Sequence, residues 1–317
     1  MEAMVFPDFM NEENMRSMNR QELVNLFLMV GKAIFEQGGF IPDPLQLPVC
    51  GERMEIPVRD GTEIRCIFYH AKRSHAPVYF EMHGGGFVGG NCEDVDFWCD
   101  ILNRELDINI VNINYRKAPD FPWPTASNDA FDVVSWFYTH AADFDLDTDK
   151  MAIGGHSAGG NLSAVTCLRS VAENAPFRFR LQVLDYPPLD LSVCAFDKLR
   201  HPLAIPPQMA MMFDACYIAP GQGNNPLISP AVAEVSMLTE LPPAVIISAE
   251  LDSLRDEAER YASKLIQAGV PVWARRFIGS AHGFTMTLNG QNPLMPEDPN
   301  APKACEMMKE ALRYYLQ

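Results

Sequence analysis

The feature that most constrains the fold is a glycine-rich turn, the run Ile153–Gly160 with the order Ile-Gly-Gly-His-Ser-Ala-Gly-Gly. An apolar run leads into it and an alanine- and leucine-bearing run follows, which predicts a strand, a tight turn and a helix. Gly155, Ser157 and Gly159 have the Gly-x-Ser-x-Gly spacing of a nucleophile elbow, which holds a serine clear of a sheet. Small residues also cluster in ordinary turns, so the spacing alone leaves a purely structural interpretation open.

The composition limits the class of protein. The 317 residues are enough for one large α/β domain or two small ones, and the hydrophobic content of 48% is ordinary for a globular chain. The net charge of -16 argues against nucleic acid or an anionic membrane as a partner. Neither a signal peptide nor a membrane span is predicted. The eight cysteines form no Cys-x-x-Cys pair, which favours free thiols in a reducing, cytoplasmic compartment.

Apolar runs of strand length alternate with helical patterns along most of the chain. Eight strands are predicted, over residues 53–58, 63–69, 78–82, 108–115, 150–155, 179–186, 244–250 and 272–277. Asp60-Gly61 between the first two predicts a hairpin. Helices are predicted over residues 125–140, directly after Ser157, and over residues 254–268 and 301–316. This alternation predicts an α/β fold with a mostly parallel sheet, covered on both faces, and an antiparallel edge.

Two segments break the alternation. The N-terminal 45 residues are amphipathic, with Asn19 as the predicted cap of a helix that ends at Gly38-Gly39. Residues 187–230 are rich in proline and methionine, with a short helix predicted from about Pro207. A long interruption between two strands usually has a function, often that of a lid.

A serine nucleophile needs an adjacent base, and His282 is the best candidate among the seven histidines. It lies in a glycine-bearing loop directly after the last predicted strand, and chemistry gathers at the carboxyl ends of parallel strands. His156 adjoins Ser157, but neighbouring side chains diverge around a sharp turn. The remaining candidates are interpreted as solvated surface side chains: His70, His75, His140 and His201.

Asp252 is the predicted acid, because it follows the seventh strand and lies between the serine and the histidine in the chain order that the elbow motif requires. The alternative interpretation of Asp252 is a helix N-cap. Asp256 and Glu257 fall within the next helix, where a solvated face or a dipole contact accounts for them. Glu250 lies at the end of the strand and is expected to point elsewhere.

The run His83-Gly84-Gly85-Gly86 supplies the remaining part of an acyl-transfer site. A tetrahedral intermediate carries an oxyanion, and bare glycine amides approach it closely. The amides of Gly84 and Gly85, with that of Ala158 after the nucleophile, are the predicted donors. A glycine run after a strand also fits a phosphate cradle, but no P-loop lysine follows here.

With these motifs the chain resembles the hormone-sensitive-lipase-like esterases of the α/β-hydrolase superfamily. The resemblance covers about residues 75–317 and rests on five motifs, His83–Phe87, Tyr115–Pro119, Gly155–Gly160, Asp252–Glu257 and His282–Phe284. It implies the α/β-hydrolase fold with an eight-stranded sheet and a helical cap. It also implies a serine esterase without cofactor or metal, with Ser157, Asp252 and His282 as nucleophile, acid and base.

The resemblance also implies a division of the chain into cap and catalytic domain, and the sequence departs from the family at two positions. Residues 1–45 and 190–225 would form the cap, and residues 46–189 and 226–317 the catalytic domain. His83 and Gly86 would support the oxyanion loop rather than touch substrate. His156 and Ser253 stand where the family commonly has aspartate and proline.

The predicted function is hydrolysis of small to medium, apolar acyl esters through an acyl-enzyme. Two alternatives stay open: amide, lactone or peptide hydrolysis on the same triad, and binding of a small ligand without cleavage. The expected partner is a small-molecule ester, with neither nucleic acid nor a membrane span. The edge strand at residues 272–277 is a candidate for pairing across a homodimer.

Overall fold

The computed structural model describes residues 6–38, 43–290 and 296–317, and in this part of the chain eight strands form one sheet. In chain order they are β1 Glu52–Pro57, β2 Glu63–Tyr69, β3 Ala76–Met82, β4 Asn109–Ile113, β5 Leu146–His156, β6 Leu181–Asp185, β7 Ala244–Ala249 and β8 Val272–Phe277. They lie side by side in the order β1-β2-β4-β3-β5-β6-β7-β8. Strand β2 is antiparallel to both of its neighbours and all other pairs are parallel, so the predicted mostly parallel sheet with an antiparallel edge is confirmed.

The hairpin between β1 and β2 turns where the Asp-Gly signal predicts. The amide of Val58 donates to the carbonyl of Thr62 at 2.9 Å. Gly61 has a φ of 82°, a left-handed conformation that glycine adopts without steric cost. The short turn fixes the register in which Ile56 faces Ile64.

Eight α-helices accompany the sheet in the described residues. They are α1 Glu12–Ser17, α2 Arg20–Gly38, α3 Asp96–Leu106, α4 Thr125–Thr139, α5 Ala158–Ala172, α6 Pro207–Tyr217, α7 Arg255–Gln267 and α8 Ala301–Leu316. Helix α3 has no counterpart among the predicted helices. It has an apolar stripe of only three buried residues, Trp98, Cys99 and Leu102, among polar neighbours. None of the helices that the structure describes is long and apolar enough to cross a membrane.

The sheet separates two hydrophobic cores, as its alternating side chains require. In β3, Val78 and Phe80 contact the core beneath α4, α5 and α7, whereas Tyr79 contacts the core beneath α3 and α8. Strands β3 and β5 lie at the centre, and all of β3 is buried. The loops after these strands are therefore held by packing on both faces of the sheet.

A third, separate cluster joins the N-terminal segment to the segment between β6 and β7. Its buried members are Met10, Met15, Leu23, Leu26, Phe196 and Met212. Phe27 of α2 packs edge-to-face on Phe213 of α6 at 6.0 Å between ring centroids. Asn19 caps α2 as predicted, since its Oδ1 accepts the amide of Glu22 at 3.1 Å. The predicted end of α2 falls partly outside the described residues, because Gly39 is not among them.

Candidate active site

Ser157 lies in the turn between β5 and α5, with a φ of 51° and a ψ of -117°. This region is sterically unfavourable for a residue with a side chain, and it raises the hydroxyl above the sheet. Glycines flank the serine because the turn is crowded. A Cβ atom added at Gly155 would lie 2.5 Å from the carbonyl oxygen of Met82, and one added at Gly159 would lie 2.0 Å from it.

Ser157, His282 and Asp252 form one hydrogen-bonded chain. The hydroxyl of Ser157 donates to Nε2 of His282 at 3.0 Å, and Nδ1 of His282 donates to Oδ2 of Asp252 at 2.7 Å. Asp252 is fully buried, whereas the His282 side chain keeps 19% of its exposure. Three residues that are distant in sequence meet because they follow strands β5, β7 and β8, whose carboxyl ends lie at the same edge of the sheet. This geometry allows the imidazole to take the hydroxyl proton.

The neighbouring carboxylates do not reach His282. The Asp256 side chain is 64% exposed and pairs with Arg255 at 2.7 Å. Glu250 accepts the amide of Gly279 at 2.8 Å and so ties the end of β7 to the base loop. The solvated-face interpretation of Glu257 is wrong, because this residue is buried and pairs with Lys198 at 2.7 Å.

The alternative interpretation of Asp252 as a helix N-cap is wrong, because Leu254 is the N-cap of α7 and no side chain caps this helix. Asp252 Oδ1 instead accepts the amide of Leu254 at 3.1 Å, in the turn that precedes α7. One carboxylate oxygen thus holds the turn and the other holds the imidazole. The turn contact fixes the carboxylate in the orientation that His282 requires.

The predicted oxyanion donors surround the serine. A Cβ atom at Gly84 would lie 3.5 Å from the Cβ of Ser157, so this backbone passes directly beside the nucleophile. Gly85 has a φ of 124°, which turns the loop back after β3. The amides of Gly84, Gly85 and Ala158 donate to no backbone carbonyl in the described part of the chain. They are therefore free to donate to a substrate oxygen.

His83 holds this loop from beneath. It is fully buried, and its Nδ1 donates to the carbonyl of Gly84 at 2.6 Å. Burial lowers the pKa of His83 well below the ordinary histidine value, so the ring is neutral at physiological pH. Tyr115 stacks on the ring at 4.3 Å and donates its hydroxyl to the His83 carbonyl at 3.0 Å. Packing of Phe213 against Gly86 places α6 over the same loop.

The other histidines lie away from the serine hydroxyl. His156 points into the protein and contacts Asp185 at 2.7 Å, as expected from its divergence from Ser157. The side chains of His70 and His75 are 60% and 71% exposed, and His201 is also exposed. His140 differs from the surface interpretation, because it stacks on Trp136 at 4.1 Å and its Nδ1 lies 2.8 Å from the Trp136 carbonyl.

A cavity of about 790 Å³ opens onto Ser157 and His282. Its wall includes the apolar side chains of Leu47, Pro48, Val95, Phe97 and Met286, and the acidic residues Glu93, Asp94 and Asp96. Tyr186 also lines it, and its ring packs edge-to-face on His282 at 4.8 Å. Sequence reasoning missed these wall residues, because they come from loops without a motif. The only signal for Tyr186 is its position directly after β6.

Known proteins with related sequences and structures relate this chain to the α/β-hydrolase fold. A family model for the α/β-hydrolase fold matches residues 79–286. An arylesterase of Saccharolobus solfataricus is 32% identical over 235 residues, which are 74% of each chain. An ethyl acetate hydrolase of Pseudomonas putida is 28% identical over 256 residues, or 78% of this chain and 80% of that one. The structure of EstE1, a thermostable carboxylesterase cloned from a metagenomic library, matches with a TM-score of 0.76 at 30% identity, covering 95% of this chain and 99% of that one.

The sheet order, the elbow and these similarities define an α/β-hydrolase. Within that superfamily, the chain belongs to the hormone-sensitive-lipase-like esterases. The family assignment rests on matches that span most of the chain rather than on the elbow motif alone.

Proposed function

We propose that this protein is a serine carboxylesterase that cleaves small to medium, apolar acyl esters through an acyl-enzyme on Ser157. Membership of the esterase family makes it a carboxylic-ester hydrolase. The observation that carries the catalytic assignment is the hydrogen-bonded chain from Ser157 through His282 to Asp252 in the wall of the cavity.

In the first step, the Ser157 oxygen attacks the ester carbonyl while its proton moves to Nε2 of His282. The carbonyl oxygen becomes an oxyanion, which the amides of Gly84, Gly85 and Ala158 stabilise. Asp252 keeps the imidazole in the required tautomer and stabilises its protonated form. When the intermediate collapses, the carbon–oxygen bond to the alcohol breaks and Nε2 returns the proton to the leaving alcohol.

In the second step, a water molecule takes the place of the alcohol. His282 accepts one proton from the water as its oxygen bonds to the acyl carbon, and the same amides hold the second oxyanion. Cleavage of the bond to Ser157 releases the carboxylic acid, and the proton on His282 returns to the serine oxygen. The enzyme is then restored without a cofactor in either step.

The acyl preference follows from the cavity wall and the segments above it. The proposed cap comprises residues 1–45, of which 1–5 and 39–42 lie outside the described residues, and residues 190–225. Within it, α2 and α6 pack on each other through Phe27 and Phe213. Phe213 also contacts Gly86 of the oxyanion loop, so α6 limits the space above the reacting carbonyl. A cavity of about 790 Å³ with apolar side chains accommodates a short or medium acyl chain.

A series of p-nitrophenyl esters tests this preference. We expect kcat/KM for the butyrate to exceed that for the dodecanoate by about tenfold or more, because Phe213 of α6 packs against Gly86 and limits the space above the reacting carbonyl. The matched butyranilide should react far more slowly. A preference for the anilide would instead support amide hydrolysis, and a flat profile up to the dodecanoate would contradict the proposed acyl size.

The acidic wall predicts discrimination by charge. Two of the three acidic side chains in the wall have strong partners: Glu93 pairs with Arg53 and Arg65, and Asp96 accepts a hydrogen bond from the Tyr69 hydroxyl. Asp94, in contrast, is exposed, and among the described groups it accepts a hydrogen bond only from the Asn91 amide. A like charge at about 10 Å costs roughly a factor of ten or more at an effective dielectric constant near 20.

We therefore expect p-nitrophenyl hemiglutarate to have a kcat/KM at least about tenfold below that of p-nitrophenyl pentanoate, which has the same leaving group. Asp94→Asn should bring the ratio of the two kcat/KM values closer to one, and added salt should have the same effect. Glu310→Gln, an exposed change on α8 outside the cavity wall, serves as the matched control. A ratio near one in the wild type would contradict electrostatic selection.

Two coarser expectations accompany this function. Strand β8 forms an open edge of the sheet with exposed residues at Ala274–Arg276, so a homodimer through this edge stays a prediction.

All eight cysteines, which lie within the described residues, are free thiols, and six of them are buried. Free thiols support the proposed cytoplasmic location, where disulfides are rare.

A further inference from the structure

A buried polar cluster lies directly behind the nucleophile, and no step proposed above uses it. Its members are Glu81, His156, Asp185, Tyr186 and Thr285, and each is less than 5% exposed. His156 precedes Ser157 and ends β5, whereas Thr285 comes three residues after His282. The cluster therefore touches both the nucleophile turn and the loop that bears the base.

Asp185 connects the two sides. Its Oδ2 accepts Nδ1–H of His156 at 2.7 Å and the hydroxyl of Thr285 at 2.5 Å. Its backbone carbonyl accepts the amide of Ser157 at 2.8 Å. One residue at the end of β6 thus fixes the nucleophile through its backbone and the base loop through its side chain.

Tyr186 provides a second connection. Its hydroxyl donates to Thr285 Oγ1 at 3.0 Å, since the Thr285 hydroxyl itself donates to Asp185. The Tyr186 ring packs against the ring of His282 at 4.8 Å. A change in the orientation of Asp185 is therefore transmitted to the His282 loop by a hydrogen bond and by ring packing.

We propose that His156 is a positioning residue for His282, acting through Asp185, Thr285 and Tyr186. It holds the Asp185 carboxylate in the orientation that anchors Thr285, and it supplies the positive charge that balances this carboxylate. This role rests on the proposed function in one respect: His282 must be the base, because it is the position and protonation of His282 that His156 controls.

The surroundings of His156 favour its charged form. Burial opposes protonation, but Glu81, 3.7 Å from Nε2, and the hydrogen bond to Asp185 outweigh it and raise the pKa of His156 above the ordinary value. Burial in turn raises the pKa of Glu81 to about 7. His156 is the only basic side chain in the cluster.

The phenols and thiols that face the cluster are neutral at physiological pH. Burial, as the largest cause, raises the pKa of Tyr79 on β3 and of Tyr186 well above the ordinary tyrosine value. The same cause raises the pKa of Cys99 on α3 and Cys305 on α8. Loss of the His156 charge would therefore leave the Asp185 carboxylate without a cationic partner in the cluster, while it still accepts the hydroxyl of Thr285 in the His282 loop.

His156→Gln is the informative variant, because glutamine can donate a hydrogen bond to Asp185 but carries no charge. An uncompensated anion favours protonation of His282, so we expect the acidic limb of the kcat/KM profile to move up by about 0.5–1 pH unit. Protonation of Glu81, whose pKa also rises when the cation is lost, limits the shift. We expect kcat for p-nitrophenyl butyrate to fall about 10–100-fold at a nearly constant KM, because a misplaced base affects the chemical step.

Thr285→Val tests the connection without changing any charge. It should lower kcat about tenfold at constant KM and leave the acidic limb in place. Thr166→Val is the matched control, since Thr166 is buried in α5 and its hydroxyl donates only to the Leu162 carbonyl. Wild-type kcat in folded Thr285→Val, or a wild-type acidic limb in folded His156→Gln, would overturn the proposal. If His156→Gln does not fold, the Thr285→Val result decides.

The pH dependence of Ser157 labelling by a fluorophosphonate separates this proposal from the proposed function. Labelling reports the ionisation of His282 without ester turnover. A wild type that labels but does not hydrolyse esters would refute the esterase function, and a shifted labelling profile in His156→Gln would still support the positioning role. Ester turnover together with an unchanged labelling profile in His156→Gln would refute the positioning role alone.

Discussion

Ser157→Ala is expected to lower kcat for p-nitrophenyl butyrate by about 10⁵–10⁶-fold, because no other group in the proposed mechanism forms the acyl-enzyme. The rate that remains would come from the oxyanion donors and substrate binding. Labelling by a fluorophosphonate should also be lost, since the reagent reacts with the activated serine oxygen. The measurements are steady-state kinetics and mass spectrometry of the labelled chain.

The fold should tolerate this change. Alanine adopts the positive φ of residue 157 as readily as serine does. The substitution removes only one oxygen atom, and the hydrogen-bond partner of that atom, His282, remains partly exposed. Ser170→Ala, a buried change farther along α5, is the matched control and should keep wild-type activity and labelling. Near wild-type turnover in Ser157→Ala would show that another nucleophile is used. Normal binding without labelling in the wild type would favour a ligand-binding protein.

Asp252→Asn is expected to lower kcat by about 10⁴-fold with little change in KM. The asparagine amide would donate to Nδ1 of His282 and so stabilise the tautomer in which Nε2 carries the proton and cannot accept that of the serine. The 2.7 Å contact and the burial of Asp252 make this reversal effective. A pH profile should show partial recovery at high pH.

Asp256→Asn provides the control, because it removes a carboxylate from the same Asp252–Glu257 motif. Asp256 is mostly exposed and pairs only with Arg255 in the described structure, so we expect kcat to change less than about twofold. Equal losses in the two variants would mean that the acid is misassigned. A mild effect of Asp252→Asn would leave Asp252 with its turn contact to Leu254 alone.

The parts of the fold that could be predicted were those with strong local signals. Val272–Phe277 and Glu63–Tyr69 were predicted with the bounds that the structure shows, because turn residues flank their apolar runs. The candidate base, His282, was chosen among seven histidines because it lies in a glycine-bearing loop after the last predicted strand, and in the structure it lies 3.0 Å from the Ser157 hydroxyl. Convergence of the three loops followed from parallel topology, which places the carboxyl ends of all such strands at one edge.

Features that depend on distant contacts could not be predicted. Glu257 has the sequence environment of a solvated helix residue, yet Lys198, which lies far away in the chain, makes its burial favourable. His156 differs from the common family residue, but only the structure shows that Glu81 and Asp185 lie on both sides of its ring. The cavity wall likewise combines Leu47 with Phe97 and Met286, which share no motif.

The methionine-rich cluster between α2 and α6 is a small core of its own, separate from the two cores that hold the sheet. Substitutions at sites without shared partners have nearly additive effects on folding free energy. Phe27 packs against both this cluster and the core beneath α4, α5 and α7, so changes at Met15 or Met212 that leave Phe27 in place should cost the framework around Ser157 little. Such independence makes this part of the chain a natural starting point for the evolution, or the laboratory selection, of new substrate ranges.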